Sequence, residues 1–152
     1  MSDISEDVHR QLSANLFNAA WDHIDNAQRT SEDEEEMLRL AMASHYHWTQ
    51  RDDYAPIKAS IANWQLSRAF ALMEEGSLAR RYAQRALLVL DGDSQPPFFV
   101  AYAHEALARA ASVDGDAELV SEHVRLAKEH ANRVEKPAER DLVLADLDTI
   151  AV

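Results

Sequence analysis

The 152-residue chain contains no cysteine. That absence removes disulfides, thiolate zinc sites and cysteine nucleophiles together. Glycine and proline are scarce as well, three and four residues. Runs of alternating β-branched residues are missing, while alanine, leucine, glutamate and arginine, all strong helix formers, are abundant. The expected fold class is all-α. Positive charge is also in short supply: 15 Lys and Arg against 27 Asp and Glu give a formal net charge of −12. Such a surface repels phosphate backbones, so nucleic acid and anionic membranes are poor partners. No apolar run approaches the length of a membrane span, and the opening MSDISEDVHRQL is acidic where a signal peptide would be apolar. A soluble, cytoplasmic protein of one domain, residues 1–152, is expected, with enough chain for a real core.

The few glycines and prolines act as punctuation. They are Pro56, Gly76, Gly92, Pro96, Pro97, Gly115 and Pro137. Proline favours the first turn of a helix and glycine the position just past its end. This reading predicts helices near 5–27, 31–51, 55–75, 77–91, 97–113, 116–134 and 137–150. Ser31 and Glu34 have capping-box spacing, and the acidic residues 32–36 suit a helix N-terminus. Asp91-Gly92 is expected to close one helix, and Asp114-Gly115-Asp116 to make a tight turn between two. Helices joined by turns this short should pack as antiparallel neighbours.

Two segments repeat. WQLSRAFALMEEG, residues 64–76, aligns with EALARAASVDG, residues 105–115: Leu66 with Leu107, Ser67 with Ala108, Arg68 with Arg109, Ala69 with Ala110, Phe70 with Ala111. The first copy runs two residues further before its glycine. Ala79, Ala83 and Ala86 follow Leu66 at the offsets at which Val120, Val124 and Ala127 follow Leu107. Small residues at these spacings let the two helices of a hairpin approach closely.

This pattern resembles the tetratricopeptide repeat, a helix–turn–helix unit of 34 residues, in a degenerate form that covers residues 55–134. The second copy carries the pattern better; the first has a displaced glycine, and neither ends in the family's usual proline. The resemblance implies a right-handed α-α superhelix of three helical hairpins: a divergent one at 5–51, repeats at 55–91 and 97–134, and a capping helix at 137–150 that shields the last apolar face. The whole chain also looks like a group of small uncharacterised bacterial proteins, through His47-Trp48, Trp64-Gln65-Leu66-Ser67-Arg68, Glu105-Ala106-Leu107-Ala108-Arg109 and Asp146-Leu147 with Thr149-Ile150. That likeness speaks to fold and carries no chemistry.

The stretch HYHW, residues 45–48, invites a metal or catalytic reading. On a helix, however, His45 and His47 point about 200° apart and cannot grip one ion. A helical zinc pair needs spacing of three or four; His104-Glu105 opens such a motif but residue 108 is alanine, and His123 and His130 are two turns apart. Ser44 and Ser67 lie in helix bodies, without the strained turn that exposes a nucleophile. No metal, cofactor or catalytic set is expected. Packing explains more: Leu38, Ala41, Met42, His45 and Trp48 share one face and Leu40, Ala43 and His47 another, the pattern of a helix buried between neighbours.

In the tetratricopeptide family the first helix of each pair lines the concave wall. Carried across, the wall positions fall on Ile61, Trp64 and Arg68, and on Tyr102, Glu105 and Arg109. Arg68 and Arg109 at equivalent heights could take a partner's carboxylate in a forked hydrogen bond while Trp64 stacks on apolar ligand. Equally, they could pair with Glu105 or other acidic residues in a structural network. The family's lysine and asparagine carboxylate clamp is not supplied by Trp64, Gln65, Glu105 and Ala106, so recognition of chaperone C-termini is not implied. Pro96-Pro97-Phe98-Phe99-Val100 either pins a loop to the core or forms a sticky edge. The leading expectation is a non-catalytic interaction module that binds a protein segment or a second copy of itself. The alternative is a small-molecule sensor or enzyme with a pocket near His47, Trp48 and Trp64.

Overall fold

Alanine sets how closely the helices approach. In the computed structural model, which describes residues 3–91 and 94–151, seven helices follow in order: α1 Glu6–Ile24, α2 Ser31–Thr49, α3 Pro56–Leu72, α4 Gly76–Leu88, α5 Pro97–Asp114, α6 Ala117–Ala131 and α7 Pro137–Leu147. No strand occurs among the described residues. Three antiparallel hairpins, α1–α2, α3–α4 and α5–α6, stack through α2–α3 and α4–α5, and α7 closes the last by packing on α5 and α6. The fold is all-α, and this hairpin packing is consistent with a tetratricopeptide-like arrangement.

The prolines behave as read: Pro56, Pro97 and Pro137 each open a helix, where the missing N–H costs nothing. Other starts are capped by side chains. Ser5 accepts from Val8 N–H and Asp116 from Leu119 N–H. The capping box of α2 lies one residue earlier than Ser31 and Glu34 suggest: Thr30 caps Asp33 N–H at 3.2 Å and Asp33 accepts from Thr30 N–H at 2.9 Å. Ser31 is then the first helical residue. The C-terminus of α1 is satisfied by Arg29, whose Nη1 donates to the carbonyls of Ile24 and Asn26.

Except in α5, the helices end two or three residues earlier than punctuation alone predicts. The surplus residues form tightened turns with bonds to the third residue back, as in Val134 N–H to Ala131 and Ile150 N–H to Leu147. Gly76 does not terminate a helix; it begins α4. The Asp91-Gly92 stop falls partly outside the described residues, but Asp91 itself has turned to φ 45°.

The repeat alignment holds at the level of packing. Leu66 and Leu107, Ala69 and Ala110, Ala79 and Val120, and Ala86 and Ala127 are all buried. In the first copy Ser60 and Ser67 also donate to the α4 carbonyls of Ala86 and Ala79, both at 2.8 Å. Their counterparts, Ala101 and Ala108, make the same approach with methyl groups alone. α3 and α5 bury ten residues each and form the middle of the molecule. α2 is less enclosed than its two apolar faces suggest: it buries the single stripe Met37, Ala41 and Ser44, while Met42 and Tyr46 are exposed. The second apolar face, Leu40, Ala43 and His47, is covered only in part, although α2 lies between α1 and α3.

Candidate functional site

The first helices of the hairpins put their wall residues in register. Trp64, on α3, packs its indole 5.3 Å from that of Trp21 on α1 and 5.2 Å from the Tyr102 ring on α5. Phe98 continues the row 5.1 Å from Tyr102, and Phe99 lies 5.2 Å beyond it. Trp21, Trp64, Tyr102, Phe98 and Phe99 are all partly exposed. Between α3 and α5 they leave an apolar pocket of about 230 Å³, lined by Ser60, Ile61, Trp64, Phe98, Phe99, Tyr102 and Ala103.

Directly beside this row lies a buried polar network. Glu105 is wholly buried, yet carries three donors. Arg109 Nε and Nη2 reach its Oε1 at 2.8 and 2.5 Å, and Arg68 Nη2 approaches the same oxygen at 3.5 Å. Trp64 Nε1 points to the other oxygen at 3.4 Å. Arg109 also donates to the Asp146 carbonyl and to Thr149 Oγ1, tying α5 to the end of α7. Tyr102 donates to Asp146 Oδ2 at 2.8 Å. Burial, followed by that hydrogen bond, holds the Tyr102 phenol well above its ordinary range, so it remains a neutral donor.

The two arginines therefore converge on an internal carboxylate, the structural member of the two alternatives the sequence left open. Arg68 is the less committed: it stands 3.9 Å from Asp146, and its buried Nε has no hydrogen-bond partner.

The other singled-out residues do not join this site. His47 shares a 2.8 Å hydrogen bond with His9 of α1. Burial, then the neighbouring His9, lowers its pKa. Trp48 lies beneath the Arg51 guanidinium, 4.1 Å from the ring centroid, with Lys58 at 5.7 Å. Both cations are in turn held by Asp53. Neither His47 nor Trp48 lines the pocket at Trp64. His45 is also lowered, by burial and then Arg85.

Sequence spacing missed two relationships. His104 sits between His123 and His130, stacked at centroid distances of 5.4 and 5.6 Å, and shares a 3.2 Å hydrogen bond with His123. Its partners come from another helix, which spacing within one helix cannot reveal. Stacked rings do not converge on an ion, and among the described residues no group of three or more His, Asp or Glu is placed to hold a metal. Trp21 was missed because the first hairpin carries no readable repeat. Phe98 and Phe99 both pin the start of α5 and wall the pocket.

No described helix is long and apolar enough to cross a membrane. In comparisons with known proteins, no family model, no curated protein and no solved structure matches the chain.

Proposed function

We propose that the chain is a non-catalytic interaction module of the cytoplasm that binds a segment of another protein along the wall formed by α1, α3 and α5. The observation that carries this reading is the open aromatic pocket, four of whose lining residues are Trp64, Phe98, Phe99 and Tyr102. Aromatic side chains lose little entropy when they bind and are the usual anchors of protein interfaces. The polar atoms of the lining are already engaged: Ser60 with Ala86, Trp64 with Glu105 and Tyr102 with Asp146. Such a surface offers burial and shape, and presents no acid, base or nucleophile to a substrate. The tetratricopeptide resemblance supports the same reading, because that architecture exposes a concave wall for extended segments.

A peptide library panned against the folded chain tests this. Binders should compete for one site, shift the Trp64 indole resonance, and weaken about tenfold or more on Phe98→Ala, an exchange that trims a partly exposed ring. Sedimentation of the free protein tests self-association through the same face. Binders indifferent to Phe98→Ala and silent at Trp64 overturn the assignment of the wall.

A further inference from the structure

We propose that the pocket between α3 and α5 is an aromatic cage for a methylated ammonium group, presented as a trimethyllysine side chain on the bound protein segment. The inference rests on the reading of this wall as a segment-binding site and names what the segment offers.

The ring geometry is the first argument. Trp64 meets Tyr102 at 66°, Tyr102 meets Phe98 at 78°, and Phe98 meets Phe99 at 82°. Rings at steep angles that line one pocket cannot all lie flat along a single side of it, and π surface on more than one side is what stabilises a cation through ring quadrupoles.

The second argument is electrostatic. Two of the rings donate hydrogen bonds to carboxylates: Tyr102 to Asp146 and Trp64 to Glu105. A donor bonded to an anion pushes electron density into its ring and makes the face a better host for positive charge. Arg68 already lies over Trp64, 5.9 Å from its centroid, but Glu105 and Asp146 face that guanidinium. The chain as a whole carries −12, so a cationic segment is drawn toward it and an acidic one repelled.

The third argument separates methylated from ordinary lysine. A bare ammonium has three N–H donors that need acceptors. The pocket offers few: Ser60 is buried and turned toward Ala86, and the rest of the lining is aliphatic or aromatic. A trimethylated nitrogen has no N–H, sheds water readily and keeps its charge. The half-open mouth leaves the aliphatic stem a way out to the peptide backbone.

Calorimetric titration of the full chain decides the matter with three probes: a short neutral peptide bearing trimethyllysine, the same peptide with an uncharged tert-butyl isostere, and choline. The trimethyllysine peptide should bind about tenfold more tightly than the isostere, the scale of a desolvated cation–π contact. Phe98→Leu, which keeps apolar volume and removes a π face, should close that gap. Equal affinity for the two peptides overturns the cation assignment while segment binding stands. Choline binding as tightly as the peptide overturns the protein-borne source. Binding of none of the three overturns the cage, and library binders that still shift Trp64 would preserve the broader reading of the wall.

Discussion

Glu74 occupies the place in the first repeat that Gly115 occupies in the second. The two are 41 positions apart, and both have left-handed backbones, φ 60° and 73°. Each is followed by the same closing bond, Glu75 N–H to Phe70 at 2.9 Å and Asp116 N–H to Ala111 at 3.0 Å. The turn is therefore not displaced in the first copy; only the glycine is. A side chain at positive φ costs about 1 kcal/mol or more. Glu74→Gly should raise stability by about 0.5–1 kcal/mol, and Gly115→Ala should lower it by about 1 kcal/mol or more. Urea unfolding of both variants checks the pair, and a destabilised Glu74→Gly would show that its carboxylate matters more than its backbone.

The glycine that does occur in the first copy serves another purpose. A β-carbon at Gly76 would overlap the Asp114 carboxylate, which is held by Arg80 at 2.7 Å. Gly76→Ala should cost about 1 kcal/mol or less, because the Asp114 carboxylate can swing aside at the expense of its pairing with Arg80. Asp114→Ala should cost little by itself, since the ion pair is largely exposed. Combined with Gly76→Ala it should recover most of the loss, and a double-mutant cycle measures that coupling.

Much of the architecture was legible because it is written locally. Prolines at helix starts and small residues at 79, 83 and 86 act within one hairpin, and the 41-residue register repeats one hairpin in the next. The repeat alignment also brought Trp64, Arg68, Tyr102, Glu105 and Arg109 together, and these residues do contact one another. What escaped depends on contacts between distant segments. Trp21 reaches Trp64 from a hairpin with no recognisable repeat. His47 finds its partner at His9, 38 positions away. The αL turn at Glu74 is invisible by residue type, because its conformation is imposed by the hairpin that surrounds it.

Stability should fall on mild acidification, and His104 should dominate the slope. Burial, then His123 and His130, lowers its pKa from 6.5 to about 4, with Glu129 opposing. The unfolded chain takes up a proton near 6.5 that the folded chain refuses until about 4. Its contribution is thus present above pH 6.5 and lost as pH falls toward 4. His47 and His123 are shifted the same way. The lowered carboxyls Asp33 and Asp53, by contrast, contribute above 3.8 and lose that contribution at lower pH. His104→Gln should flatten the pH dependence between 6.5 and 4 by about one proton's worth of slope. Urea midpoints across this range measure it; an unchanged slope would place the proton uptake elsewhere.

Glu105 should be the most sensitive position in the buried polar network beside the pocket. It has no solvent exposure, and its charge is balanced by Arg109 at close range and Arg68 at longer range. Removing one member of a buried pair strands the other, at about 3–5 kcal/mol. Glu105→Ala strands two guanidiniums and should approach or exceed the upper end. Arg109→Met breaks the bonds to Glu105, Asp146 and Thr149 together, so it should cost more than Arg68→Met, which breaks one long contact to Glu105. Thermal unfolding orders the three variants. Peptide affinity separates the roles further: Arg68→Met should leave the fold nearly intact while removing the cation over Trp64, so a cationic segment should bind at least as well as before. Loss of that affinity in a folded Arg68→Met protein would mean that this arginine, with its unpartnered Nε, grips the segment directly.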